Sequence, residues 1–311
     1  TREADHMRGR YYMHTGYVPN PSIEHPSYGA VLSHQLRREN LEIPQFVSVG
    51  GGSIAAGFLG MNYAPFVVNS NGQVRNLDVK PDQRFFQRAY ALDVIENSFI
   101  NQKRGSIASD HRDVLRQAFN LLTSEQMEAF KVAGEPEAVK DRYGDNNFGK
   151  SCLMARRLVE VGVPFIEVNL GGWDNHQNIF PTLRDNKLPM LDKGMSALVE
   201  DLEQRGLLED TAIIWMGEFS RTPRINQNAG RDHWARSWSV VVGGAGMNGG
   251  IAIGETNSDG TRVETEPHSS QDIMASVCKA LGISLTTTFT SKSGRPMKIA
   301  NSGKVITDLF S

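Results

Sequence analysis

Long apolar runs are missing from this sequence. No window offers the ~18 consecutive apolar residues that a membrane-spanning helix needs, so no membrane span is expected. A charge excess is missing too: 33 Lys and Arg stand against 35 Asp and Glu, a net charge of −2. That balance lacks the basic footprint of a nucleic-acid binder. Cysteine is scarce. Cys152 and Cys278 both sit in apolar, helix-patterned surroundings, which predicts core thiols rather than a disulfide or a catalytic pair. Internal repeats and low-complexity blocks are absent. The 311 residues suffice for one large core and read as a single α/β domain over residues 1–311. The opening at Thr1 falls in mid-pattern, as in a mature or truncated product, and the expectation is a domain incomplete at its N-terminus.

What is present centres on residues 164–176, Pro-Phe-Ile-Glu-Val-Asn-Leu-Gly-Gly-Trp-Asp-Asn-His. Residues 165–170 form an apolar, β-branched run between Pro164 and Gly171, the signature of a buried strand. Gly171 and Gly172 end it in a sharp turn. Trp173, Asp174, Asn175 and His176 follow at once. Ligands of open α/β sheets collect at the carboxyl ends of strands, so this is where chemistry is expected.

Around that strand the rest of the chain falls into place. Ser27 predicts the N-cap of a helix through Leu36, and residues 46–49 a second strand ending in three glycines. Residues 53–80 look irregular. Residues 82–161 carry helical spacing in three segments, an excursion from the sheet or a cover over one face. A helix from Pro189 to a stop at Gly206 leads to a strand at 211–216. Strand, helix, strand predicts a right-handed parallel βαβ unit. Residues 239–242 are a fourth strand, 254–267 a polar loop, and 272–281 a helix closed by Gly282. The fold class is therefore α/β, a mostly parallel sheet with helices on both faces and a helical excursion around residues 82–161.

Each late strand adjoins ionisable residues: Asp174 and His176 after the first, Glu218 in 216–223 after the second, Asp232 and His233 before the fourth. Two carboxylates and two imidazoles suit Zn²⁺ or Mn²⁺, and more carboxylate favours Ca²⁺ or Mg²⁺. Zn²⁺ or Ca²⁺ is the expected ion, with Mn²⁺ and Mg²⁺ as alternatives. Arg221 and Arg231 suit a bidentate clamp on an anion. Each element also has a plainer reading. Asp-x-His pairs commonly cap helices, Glu218 is within reach of Arg221 for a turn salt bridge, and Trp173 and Trp234 read as packing. The six histidines at 6, 14, 25, 34, 111 and 268 read as surface residues. The run Cys152-Leu-Met-Ala-Arg156 lacks the proline and spacing of a sulfatase activation motif and lies mid-helix.

Residues 171–176 (Gly-Gly-Trp-Asp-Asn-His), 216–223 (Met-Gly-Glu-Phe-Ser-Arg-Thr-Pro) and 230–234 (Gly-Arg-Asp-His-Trp) resemble the DUF1501 family. So do Met13-His-Thr-Gly16 and Gly294-Arg-Pro296. That family is a sulfatase-like branch of the alkaline phosphatase superfamily. The resemblance implies an alkaline phosphatase-like sheet, metal ligands Asp174, His176, Asp232 and His233, and catalytic roles for Arg221 and Glu218. It implies hydrolysis of a phosphate or sulfate ester on an anionic small molecule or glycan, in a periplasmic or secreted protein. Here the metal-binding segment is Asp-x-His rather than Asp-x-x-x-His, and Gly217-Glu218-Phe219 stands where the superfamily has Asp-His. The superfamily's first strand, with its metal-binding Asp and its nucleophile, has no counterpart after Thr1. Either the polypeptide is a fragment or its family works without that nucleophile. The alternative function is a non-catalytic binding protein for sulfated or anionic glycans on the same fold.

Overall fold

The computed structural model describes residues 3–73, 82–101 and 107–310. Helix α1 (His6–Thr15) starts at Asp5, whose side chain accepts from the Arg8 amide at 3.0 Å. It ends at Gly16, where φ is +74°, a left-handed conformation that glycine adopts without steric cost. Helix α2 (Tyr28–Gln35) is capped by Ser27, as the sequence predicts. Strand β1 (Phe46–Val49) is buried at every position.

A strand absent from the sequence reading follows: β2 (Phe66–Val68) lies within the stretch expected to be irregular. Three residues are too few to establish a period. The helical excursion holds α3 (Gln83–Asn101), α4 (Ile107–Thr123), α5 (Glu137–Tyr143) and α6 (Asn147–Val161), with 3₁₀ turns between α4 and α5. Strand β3 (Phe165–Val168) then enters the sheet.

The parallel sheet is small, in the order β2-β1-β3. Val47 pairs with both Phe66 and Ile166. Helices cover both of its faces, as period-two alternation requires. Phe165 packs into a cluster with Val31 and Leu32 of α2 and with Met274 and Val277. Ile166 and Val168 turn the other way, onto Leu153, Met154 and Leu158 of α6.

After β3 come α7 (Ile179–Thr182), a π-helical turn at Leu183–Lys187, and α8 (Leu188–Gln204) without a break. The helix thus starts ten residues before Pro189, the start read from the sequence. Strand β4 (Ile213–Trp215) follows, then β5 (Ser220–Arg221), β6 (His233–Trp234) and β7 (Val241–Gly243). The expected parallel pairing of β3 with β4 is not formed. Strand β4 pairs antiparallel with β7 instead, although Ile214 packs in the same cluster as Phe165. The crossover through α8 returns the chain to the same helical layer without joining the two strands by hydrogen bonds.

Residues 254–267 are a hairpin rather than a loop. Thr256 and Val263 bridge antiparallel. At the turn, Asn257 Oδ1 accepts from the amides of Thr261 and Arg262 at 2.8 and 2.9 Å. Helix α9 (Ser270–Ala280) carries a full capping box, Ser269 with Asp272. A last hairpin, β8 (Thr288–Thr290) with β9 (Pro296–Lys298), closes the chain. Cys152 and Cys278 are free and buried, and burial pushes both thiols up to about 12. They are core thiols, as expected. No helix among the described residues is long and apolar enough to cross a membrane.

Candidate metal centre

Three separate parts of the chain deliver the site. Helix α1 presents His6 in its first turn. The turn after β3, where Gly172 takes φ +85°, presents Asp174 and His176. The β5–β6 hairpin sets Arg221 directly opposite His233, with Glu218 just ahead of β5. The loop before β6 is locked onto the β3 turn. The Arg231 amide donates to Asn175 O at 3.0 Å, and the Ile179 amide to Ala229 O at 2.9 Å.

These elements converge on one carboxylate. His6 Nε2 lies 3.1 Å from Asp174 Oδ2. His176 Nε2 lies 2.9 Å and His233 Nε2 3.2 Å from Asp174 Oδ1. Arg221 donates through Nη1 to the same oxygen. One ligand atom from each of His6, Asp174 and His233 falls within 4.8 Å of the other two. Tetrahedral Zn²⁺ with bonds of about 2.0–2.1 Å holds its ligand atoms roughly 3.4 Å apart, so modest side-chain adjustment would bring these three to bonding distance. The side chains of His6 and Asp174 keep 39% and 43% of their surface open.

Each imidazole has its second nitrogen held by an acceptor. His6 Nδ1 lies 2.5 Å from Glu218 Oε1. His176 Nδ1 lies 2.8 Å from Asp232 Oδ1. His233 Nδ1 lies 2.7 Å from the carbonyl of Ala4. Metal-binding histidines characteristically donate their outer N–H to a carboxylate or carbonyl, which fixes ring orientation and tautomer. All three rings therefore turn Nε2 inward. His6 Nε2 is buried and, although near Asp174, is not aligned for a hydrogen bond to any partner. A buried, inward-facing imidazole nitrogen beside a carboxylate is a donor set that fits a divalent cation.

The electrostatics follow from the same contacts. Burial works to raise the Asp174 carboxyl, but the Arg221 guanidinium and the pairing with His6 and His233 outweigh it and hold the group well below the ordinary carboxylate range. Burial works to lower His6, yet pairing with Glu218 and Asp174 wins and raises it. The bond from His176, then that from Asn226, lowers Asp232.

Of the residues singled out in the sequence, Asp174, His176, Glu218, Arg221, Asp232 and His233 are brought together. Their contacts differ from the expected ones. Asp232 and Glu218 stand behind His176 and His6, each facing the outer nitrogen. Arg221 pairs with Asp174 and not with Glu218. Arg231 donates through Nη1 to the carbonyls of Thr222 and Pro223, both at 2.5 Å, and so clamps a turn.

His6 is the member of the His6, Asp174 and His233 grouping that the sequence does not single out. The signal was a helix start at Asp5 with His6, Arg10 and His14 four apart, one helical face. Its neighbours extend the polar strip along α1. Arg10 donates to Glu167 Oε1 and to Asn169 Oδ1 at 3.2 and 3.3 Å, and Ser53 donates to Glu167. His14 is mostly buried beside Glu167, and that burial pulls its pKa down.

The other histidines vary. His25, expected at the surface, is buried and stacks on Tyr17 with ring centroids 4.0 Å apart. His34 is half-buried and His268 exposed. The His111 side chain lies outside the described residues. Trp173 is a packing residue, donating to Leu170 O at 2.8 Å.

A family model for proteins of unknown function, DUF1501, matches residues 1–310 of the chain. No curated protein and no solved structure matches it.

Proposed function

The chain belongs to the DUF1501 family, and from the geometry of its Asp174 site we propose that it is a divalent-metal-dependent hydrolase of phosphate or sulfate esters. The observation that carries this reading is the set of three imidazoles whose outer nitrogens are fixed and whose Nε2 atoms face one carboxylate. Such an arrangement has a clear use in metal binding and little in a fold-stabilising ion cluster. The small α/β sheet with its site beyond β3 is compatible with a sulfatase-like fold, and that finer assignment is part of the proposal.

His6, Asp174 and His233 would hold the ion, leaving an open position as catalytic sites do. A divalent ion there supplies a Lewis acid for the ester oxygen and lowers the pKa of a bound water or hydroxyl nucleophile. His176 sits at the rim with Nδ1 oriented by Asp232, an arrangement suited to carrying a proton to or from the reacting oxygen. Arg221 spends one N–H on Asp174, and its remaining donors suit the nonbridging oxygens of a phosphate or sulfate.

One observation favours a second reading. Arg221, the residue best suited to an anion, is already engaged with Asp174, as it would be in a non-catalytic protein that binds an anionic glycan elsewhere on its surface. The discriminating experiment assays the full chain on an aryl phosphate and an aryl sulfate with Zn²⁺, Ca²⁺, Mn²⁺ and Mg²⁺ in turn. The hydrolase reading expects metal-dependent turnover that Asp174→Ala abolishes. No turnover with any ion, or turnover indifferent to Asp174→Ala, would overturn it.

A further inference from the structure

A cleft of about 520 Å³ is lined by Arg236, Asn257, Thr261, Arg262, Val263 and Pro267. Its volume is within the roughly 300–1,000 Å³ of small-molecule sites. One wall begins three residues after His233, so Arg236 is at most about 11 Å along the backbone from that histidine. The other wall is the 254–267 hairpin, whose Gly260 packs over Pro223, two residues beyond Arg221. Both walls are thus tied to the hairpin of β5 and β6 that carries Arg221 and His233.

We propose that this cleft is a subsite for a second anionic group of the substrate, carried on a saturated, polyhydroxylated frame such as a sugar. Two guanidinium groups set the charge preference. Arg236 lies over the Trp234 ring, 5.3 Å from its centroid, and no carboxylate among the described residues pairs with it. Arg262 pairs with Glu264 at 3.1 Å, but the two side chains are 75% and 45% exposed. An exposed pair of that kind is weak, so a ligand sulfate or carboxylate displaces Glu264 at little cost.

The remaining lining decides the frame. Asn257 donates through Nδ2 to the Thr261 hydroxyl at 3.0 Å, a polar pair on the lining, while Val263 and Pro267 offer apolar surface without an aromatic ring. The Trp234 ring is capped by Arg236. The six lining residues include no aromatic ring for a nucleobase to stack on, whereas a sugar ring can set one face on Val263 and Pro267 and turn its hydroxyls to the Asn257–Thr261 pair. This assignment rests on the ester-hydrolase reading for what the subsite serves, but ligand binding to it is measured separately.

The test titrates a sulfated disaccharide, its unsulfated counterpart and inorganic sulfate into chelator-treated protein by calorimetry. The sulfated disaccharide is expected to bind best. Replacing both arginines (Arg236→Ala with Arg262→Ala) should weaken it by about tenfold or more, the scale of one lost charge-assisted hydrogen bond. Glu264→Gln, which frees Arg262, should strengthen it by about twofold to fivefold. Equal binding of inorganic sulfate would overturn the sugar assignment. Binding unchanged in the double variant and in Glu264→Gln would overturn the subsite altogether. Because no turnover is measured, a failed ester assay leaves these outcomes intact, and a failed titration leaves the hydrolase reading intact.

Discussion

His6 Nε2 and Asp174 Oδ2 stand 3.1 Å apart, although one opens the first helix and the other follows β3. Asp5 fixes the start of α1, Glu218 fixes the His6 ring from behind, and the turn after β3 fixes Asp174. The meeting is therefore built by three elements, and changing any of them has a measurable consequence.

The acceptors behind the imidazoles should matter nearly as much as the ligands. Glu218→Gln and Asp232→Asn each leave the ring in place but alter the acceptor that orients it. Losing such a partner typically costs 10–100-fold in metal affinity or activity. For Glu218→Gln the loss is expected in affinity for Zn²⁺, read by competition with a chromogenic chelator. For Asp232→Asn it is expected in kcat at saturating metal, since the proposed mechanism makes His176 the proton carrier. Unchanged values in both variants would remove the oriented-imidazole argument.

Ion uptake should release protons. The His6 pKa is raised above its ordinary value by Glu218 and Asp174 against the effect of burial, so a protonated fraction persists above pH about 6.5. A bound cation requires the neutral ring. Affinity should therefore rise with pH through the region just above 6.5, with proton release detectable in weakly buffered solution. In His6→Ala that release should disappear.

Much of this architecture is readable from residues. The Ser27 cap, the four buried positions of β1, and the β-branched run of β3 ended by glycine each announce themselves locally. So do Cys152 and Cys278 as core thiols. The pairing of β4 with β7 does not, because a three-residue strand carries no register information and the choice of neighbour is made by tertiary packing. The 254–267 hairpin was hidden by its polar composition, its turn being set by Asn257 accepting local amides. In the site, Asp174, His176 and His233 stand out because each adjoins an apolar strand. His6 does not, since one histidine at the start of a polar helix looks like any solvated residue. Only its partners, far away in sequence, give it a role.

The fold depends on a buried ionic network remote from the site. The Arg156 side chain is 3% exposed and meets Glu135, Glu160 and Asp201 at 2.8, 2.6 and 3.1 Å. The Tyr143 hydroxyl donates to Asp201 at 2.9 Å. Asp201→Ala would leave Arg156 with Glu135 and Glu160 alone and the Tyr143 hydroxyl without its acceptor, a buried unsatisfied donor that costs about 1–3 kcal/mol. Burial works to raise Glu135 and Asp201, but the surrounding arginines, with Tyr143 at Asp201, hold both below their ordinary values. A depressed carboxylate stabilises fully above its unfolded pKa of about 4, and the contribution vanishes as the pH falls through the folded value. Thermal melts should show the native protein losing stability below about pH 4, and the combination Glu135→Gln with Asp201→Asn should flatten that slope.

Gly230 supplies a steric test of the site. A Cβ there would overlap the carbonyl group of His176, so Gly230→Ala must push the loop before β6 away from the turn after β3. The expected result is a folded protein by circular dichroism with ion affinity reduced at least as much as in Glu218→Gln. Native affinity in Gly230→Ala would show that the contact between these two segments does not position Asp174 and His233.

Elemental analysis of the purified chain, after dialysis against trace Zn²⁺ and then metal-free buffer, tests the central claim most directly. One divalent ion per chain in the native protein, lost in both His6→Ala and Asp174→Ala while His268→Ala retains it, is the result expected from an ion held between α1 and the turn after β3. A native protein that retains no ion, or a His6→Ala variant that retains a full equivalent, would contradict it.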